Sequence, residues 1–276
     1  MLFVPAHIWT PHFAVFGSMS GYDSLEECFD ELTPYIYAVE TGLSADPPML
    51  WRVGNLDGRT IISNSDAHSP GKLGREANIF NCDLSYNAIA DVLKTNSDGL
   101  ESTIEFYPEE GKYHLDGHRD CQVRMEPEET IKRDYLCPTC GKKVTVGVMH
   151  RAEKLANHPI GREPEKGVRQ YHSIVPLPEI MAELEQKRLA PKTVQTRYMD
   201  TLSKLGTEFT ILLDTPLSEI ESAAGSDLAF AIDKMRRGDI ALDPGYDGEF
   251  GKVHIFSDKE RAELTARDAA AQTALF

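Results

Sequence analysis

The sequence predicts a mixed α/β protein. It should open on parallel β/α units cut from a barrel, continue through a small metal-stapled module and end in helices. Three observations carry this: short apolar runs alternate with helix-like patterns up to residue 107, a Gly, Pro, Cys and charged texture runs from 108 to about 150, and helical periodicity dominates after 175. The last twenty residues, 257–276, are polar and Ala-rich and read as a flexible tail.

In the first region "LFVPA", "IYAVETG" and "RTIISNS" read as strands, "SLEECFDELTPY" as a helix opening on Ser24, and "SYNAIADVLKT" as a second helix. Strands that alternate with helices form parallel units whose functional residues sit at the strands' carboxyl ends, where His7, Glu40, Asp66 and His68 fall. Three strands cannot close a barrel, so the expectation is the later part of a larger one. Beyond residue 175, "PLPEIMAELEQKRL", "TVQTRYMDTLSKLG", "PLSEIESAAG" and "SDLAFAIDKMRRG" read as helices, followed by the hairpin-like "DIALDPGYDGEFGKVHIF".

Composition bounds the function. With 276 residues and 41% hydrophobic content the chain can bury a substantial core. Its net charge of −15 argues against a generally basic, nucleic-acid-coating surface, so any nucleic-acid contact must be focused. Basic residues do gather in "GKKVTVGVMHRAEKLANH", "GREPEKGVRQYH" and "KRLAPKTVQTR", although solvated faces look the same. No window has the apolar length of a membrane span and "MLFVPAHIWT" lacks the form of a secretory signal, so the expected location is cytoplasmic, with no membrane partner.

The strongest chemical signal is His118-x2-Cys121, fifteen intervening residues, then Cys137-x2-Cys140. Ligands two residues apart let a tight knuckle aim both at one ion, and two knuckles complete a closed Cys3His site, structural rather than catalytic, with zinc the expected metal. The competing readings are a redox CxxC pair, which lacks a thioredoxin-like context, and His114 as the fourth ligand. Cys28 and Cys82 read as small buried residues.

A weaker signal joins His7 to the Asp66-x-His68 pair. Imidazole with carboxylate suits zinc, manganese or iron, and the divalent ion expected in the barrel, zinc, manganese or magnesium, can activate water and polarise a phosphoryl oxygen; alone, each residue is more often a hydrogen-bonded polar group than a ligand. Lys72 and Arg75 in "SPGKLGRE" add cations suited to phosphate.

The stretches "PAHIWTPHFAVFGSMSGYDSLEECF", "AVETGLSADPPMLWR", "IISNSDAHSPGKLGREANIF", "GKYHLDGHRDC", "CPTCGKKVTVGVMHR" and "IALDPGYDGEFGKVHIF" closely resemble the endonuclease Q family. The resemblance runs to about residue 256. It implies a DNA repair nuclease that nicks 5′ of a deaminated base, uracil or hypoxanthine, or of an abasic site. It also implies the family's order of parts: a PHP metallo-phosphoesterase barrel (1–107 here, incomplete), a zinc-binding module (108–172) and a helical DNA-binding domain (173–256). His7 matches a histidine motif of the later PHP half, Asp66 and His68 match the closing D-x-H motif, and His118, Cys121, Cys137 and Cys140 match the zinc module. PHP domains open with an H-x-H motif and further ligands that this sequence lacks. A fragment of a longer gene, one half of a split enzyme and a degenerate non-catalytic relative are the three readings of that departure.

Further features bear on DNA. "EIESAAGSDLAFAIDKMRRG" is similar to a helix-hairpin-helix turning at Gly225, with an ordinary helical hairpin as the alternative. Phe16, Met19 and Tyr22 in "FGSMSGY" are candidates for the apolar wedge a base-extruding enzyme needs, or else core. The terminal Gln272, Leu275 and Phe276 resemble a sliding-clamp docking peptide, or else belong to an Ala-rich tail. Two other functions compete: a phosphoesterase acting on small phosphate esters, and a non-catalytic zinc-containing DNA- or clamp-binding protein.

Overall fold

The computed structural model describes residues 2–167, 170–186 and 191–262. The chain divides into two compact units, one of Met1–Ser173 with Asp243–Lys252, the other of Ile174–Leu242 with Val253–Phe276. The expected barrel segment and zinc module thus fall in one unit, joined by a ten-residue return of the chain.

In the first unit, α1 (Leu25–Phe29) starts where predicted, because the Ser24 side chain accepts from the Glu27 N–H. β1 (Ala38–Glu40) follows, then α2 (Pro47–Trp51), capped by Asp46, and β2 (Thr60–Ile62). β1 and β2 pair in parallel, Val39 opposite Ile61, and all six residues are buried. Ala38 and Ile62 face a cluster with Val92, Leu93 and Leu100; Val39 and Ile61 face another with Trp9, Phe16, Leu50 and Val148.

Two expectations change here. Residues 2–6 form no strand: Pro5 has no N–H to donate, and the backbone bonds to β1 in this stretch are Glu40 N–H to Pro5 O and, just beyond it, Ile8 N–H to Glu40 O. Conversely, β3 (Ala77–Phe80) and β4 (Leu100–Glu105) are strands that hydropathy did not signal, separated by α3 (Tyr86–Thr95), whose cap Ser85 the sequence did not single out. β3 and β4 are antiparallel and β7 (Gln170–Ser173) adds in parallel to β4. No sheet closes on itself among the described residues, so the fold is mixed α/β and not a closed barrel.

The Cys-bearing part consists of the hairpin β5 (Asp116–His118) and β6 (Val123–Met125), α4 (Pro127–Lys132) and α5 (Val148–Leu155). The returning segment braces it. Asp247 accepts from the Arg119 N–H (2.6 Å) and the Thr145 hydroxyl (2.5 Å). At Gly251 a Cβ would stand 2.0 Å from the Glu109 carbonyl oxygen, so only glycine permits that approach.

The second unit is helical, with α6 (Leu177–Leu184), α7 (Lys192–Leu205), α8 (Leu217–Ala224) and α9 (Ser226–Arg236). Ile180, Val194, Ile211, Ile220 and Ile232 are fully buried in it. Short strands β8 (Ala241–Asp243) and β9 (Lys252–His254) pair as the predicted hairpin. Among the described residues no helix is long and apolar enough to cross a membrane.

Candidate metal centres and DNA-facing loop

His118 ends β5, Cys121 closes the short turn after it, and Cys137 and Cys140 sit on a knuckle whose Cys137 N–H donates to Lys142 O. Gly141, at φ 71°, accepts the left-handed turn that lets its N–H return to the Cys137 carbonyl. The four ligand atoms lie within 4.8 Å of one another. Donors of a tetrahedral zinc, with bonds of about 2.3 Å to sulfur, stand about 3.7 Å apart, so this donor set fits a metal with little adjustment. Burial raises the Cys137 thiol, but the backbone N–H groups of Cys140 and Thr139 outweigh it and bring it down, whereas burial and the two neighbouring thiols push Cys121 up, so Cys137 ionises ahead of Cys121. That favours the thiolate a metal needs. His114 stays outside the cluster, buried, and burial holds its imidazole near 4.

At the carboxyl end of β1 and β2 a second polar group is assembled around Glu40. Its Oε2 accepts the His7 N–H (2.6 Å) and its Oε1 the Asn64 amide (2.7 Å), tying together the segments that carry His7 and Asp66. His7 (φ 34°) and Asp66 (φ 44°) both hold the left-handed conformation that costs a non-glycine residue energy. A Cβ at Gly42 would come within 2.6 Å of the His7 Cβ, so the chain is packed tightly against this histidine. His68 Nδ1–H donates to the Asp66 carbonyl (2.8 Å), which leaves Nε2 with its lone pair free for a ligand.

Arg75 donates to the Ser65 carbonyl (3.1 Å), and its guanidinium lies over the Phe106 ring. Lys72 ends a short turn over Pro70–Lys72, half-buried. Among the described residues only the Cys/His cluster gathers three or more ligand atoms in one coordination sphere, so His7, Asp66 and His68 share an end of the sheet without closing on one point.

The loop after His7 corrects one sequence expectation. Phe16 is fully buried against Trp9, ring centroids 5.2 Å apart, because the loop folds back so that Phe16 N–H bonds to Ile8 O; its ring cannot meet DNA. Met19 and Tyr22 are exposed, and Phe13, unremarked in the sequence, is 95% exposed at φ 60°. In the second unit Gly225 (φ 101°) is the single joint between α8 and α9, but its N–H already donates to Glu221 O and is not free for a phosphate. Gln272, Leu275 and Phe276 lie outside the described residues.

Sequence reasoning missed the buried polar groups around these centres. Burial, reinforced by the nearby Glu105 charge, pushes the Glu76 carboxyl to about 9; burial pushes Glu105 to about 7 and Asp46 to about 6. Asp116 and Arg151, also buried, link distant segments. The only signal for them was charge within otherwise apolar stretches.

Comparison with known proteins fits this geometry. Over 92% of its length the chain matches the crystal structure of the lesion-specific endonuclease PfuEndoQ from Pyrococcus furiosus, with TM-score 0.81 and 29% identity, covering 62% of that chain. An endonuclease Q in complex with a 27-mer duplex bearing an abasic lesion matches over 93% of this chain and 64% of that one, at TM-score 0.80 and 30% identity. This likeness of sequence and fold supports membership of the endonuclease Q family. Residues 176–239 of this endonuclease Q relative match the family described as the MJ0043 C-terminal domain. Protein MJ0043 of Methanocaldococcus jannaschii is 31% identical over 263 residues, and YqxK of Bacillus subtilis 33% over 256, each covering 91% of this chain. The chain spans 32% and 60% of those two proteins' lengths.

Proposed function

We propose that this chain acts in DNA repair as part of a metal-dependent endonuclease that cuts the strand 5′ of uracil, hypoxanthine or an abasic site. The observation that supports it is the likeness of fold to a lesion-specific endonuclease over 92% of the chain. In this reading 1–107 is the PHP-like part, 108–172 the zinc module, 173–256 the DNA-binding helices and 257–276 a tail able to dock on a sliding clamp.

Each part has an assigned chemistry. His118, Cys121, Cys137 and Cys140 hold a structural zinc. His7, Asp66 and the free Nε2 of His68 offer ligands for a divalent ion, zinc, manganese or magnesium, which when bound lowers the pKa of a water and polarises the phosphodiester. Lys72 and Arg75 hold the scissile phosphate, Arg75 kept in place by Ser65. Phe13, with Met19 and Tyr22, fills the space an extruded nucleotide leaves.

Duplexes carrying uracil, hypoxanthine, an abasic site or no lesion, incubated with Mg²⁺, Mn²⁺ or Zn²⁺, test the proposal. A metal-dependent nick 5′ of the lesion, reduced at least 100-fold by His68→Ala, is the expected result. The incomplete convergence of His7, Asp66 and His68 favours a second reading, a zinc-containing DNA-binding protein without nuclease activity. Salt-sensitive binding of the abasic duplex without a nick under any metal would select it.

A further inference from the structure

Helix α5 links the strand that leads into the Cys/His cluster to the loop that follows His7, through the adjacent residues His150 and Arg151. Toward the cluster, Gly147 N–H donates to Asp116 Oδ1 (2.7 Å) and His150 Nδ1–H to Asp116 Oδ2 (2.6 Å). Asp116 begins the strand that ends at His118, and Gly117 and Thr145 exchange both backbone hydrogen bonds (3.0 and 2.8 Å). His150 Nε2 lies 3.4 Å from the hydroxyl of Tyr135, two residues before Cys137.

Toward the loop, Arg151 uses its whole fork. Its Nε donates to Phe16 O (2.9 Å), one Nη to Tyr22 O (2.6 Å), and the other meets Asp23 Oδ1 (2.6 Å). Ser18 adds a bond from its hydroxyl to Val146 O (3.2 Å), just before α5. The Arg151 side chain is 8% exposed, so these acceptors replace its water. What Arg151 grips is backbone of the loop that presents Phe13, Met19 and Tyr22.

We propose that Arg151 is a positioning residue that couples metal occupancy of the Cys/His cluster to the conformation of loop 10–23. The inference rests on the DNA-facing reading of that loop for its consequence, though not for the coupling itself. A metal that fixes His118 relative to Cys137 fixes β5, Asp116 and the start of α5. The planar fork then fixes two carbonyls six residues apart, which a lysine's single ammonium cannot reproduce.

Hydrogen exchange on the full zinc-loaded chain tests the coupling, with peptides from 86–95 and 177–184 as internal references. Arg151→Lys should raise exchange in 10–23 at least tenfold while zinc stays at one per chain and both references hold. Chelating zinc from the wild type, which needs no variant, should raise the same peptide by a similar factor. The proposal is overturned if chelation loosens 116–145 and leaves 10–23 protected, or if 86–95 loosens equally, since the response is then global. It is also overturned if a folded Arg151→Lys protein leaves 10–23 unchanged; should that variant not fold, Ser18→Ala, expected to raise exchange at least twofold, takes its place.

In parallel, Arg151→Lys should lower the preference for abasic over intact duplex at least fivefold, measured by fluorescence anisotropy. Exchange as expected with no preference for either duplex, even in the wild type, would refute the DNA reading and leave the coupling standing.

Discussion

The two compact units satisfy their buried polar groups differently. In the first, buried side-chain atoms of Arg75, Glu76, Glu105, Glu109 and His114 have no hydrogen-bond partner, and every such atom found among the described residues belongs to this unit. The same unit holds His7, Phe13 and Asp66 in left-handed backbone, whereas Gln186 is the second unit's one non-glycine residue of that kind among those described. The second unit instead closes its polar interior: Lys234 is paired with both Asp239 and Glu260, and Arg236 donates to three carbonyls around 211–215. A unit built only for stability has no reason to keep costly orphan groups and strained residues. Both features distinguish the first unit, which also carries His7, Asp66, Arg75 and the Cys/His cluster, from the second.

The largest effect that would break this comparison is loss of the cluster. Cys137→Ser removes a buried ligand, and structural zinc contributes about 10 kcal/mol or more to folding in isolated fingers. We expect metal content to fall from one per chain to near zero and the first unit to lose exchange protection in 113–150, while helices α6–α9 keep theirs. Equal loss in both units would mean that their stabilities are not separable.

Glu76→Gln sharpens the comparison with an intermediate effect. The folded state holds this carboxyl protonated up to about 9, against an ordinary value of 4.5, because burial and Glu105 oppose its charge. A raised acid binds its proton more tightly when folded, so its stabilising contribution is present below pH 4.5 and is lost as pH rises toward 9. Glutamine removes that slope. Urea titrations should therefore show the variant gaining on the wild type between pH 5 and pH 9, by more than about 1 kcal/mol. A gain that does not vary with pH would mean that Glu76 is ionised throughout.

How much of this was legible in the sequence depends on whether the cause was local. The cap at Ser24, the two-residue ligand spacing around Cys121 and Cys137, and the Gly225 joint each act within a few residues, and the structure has all of them. β4 was hidden because Ser102, Thr103 and Glu105 are buried polar residues that erase the strand's apolar pattern. Phe16 misled because an aromatic beside Gly17, at the start of a polar run, reads as surface until Trp9 is seen beneath it. Arg151 and Asp116 act on partners 135 and 34 residues away, and no local spacing encodes such a contact. The Cys/His cluster was therefore readable in the sequence, and the buried groups that support it were not.

The smallest expected effect tests the second unit. Glu260 accepts from Lys234 (2.8 Å) and from Ser257, and these bonds hold its carboxyl down near 2. A lowered acid contributes stability above its ordinary 4.5 that is lost as pH falls toward 2, opposite in sign to Glu76. The Glu260 side chain is 30% exposed and solvent screens the pair, so Glu260→Gln should cost only about 0.5–1 kcal/mol at pH 7 and almost nothing at pH 2. Exchange protection of α9 across that range reads the difference directly. A cost of several kcal/mol would mean that Lys234 is left as an uncompensated buried charge once Glu260 is gone, with Asp239 unable to hold it alone, and the second unit would then carry an electrostatic liability as severe as those of the first.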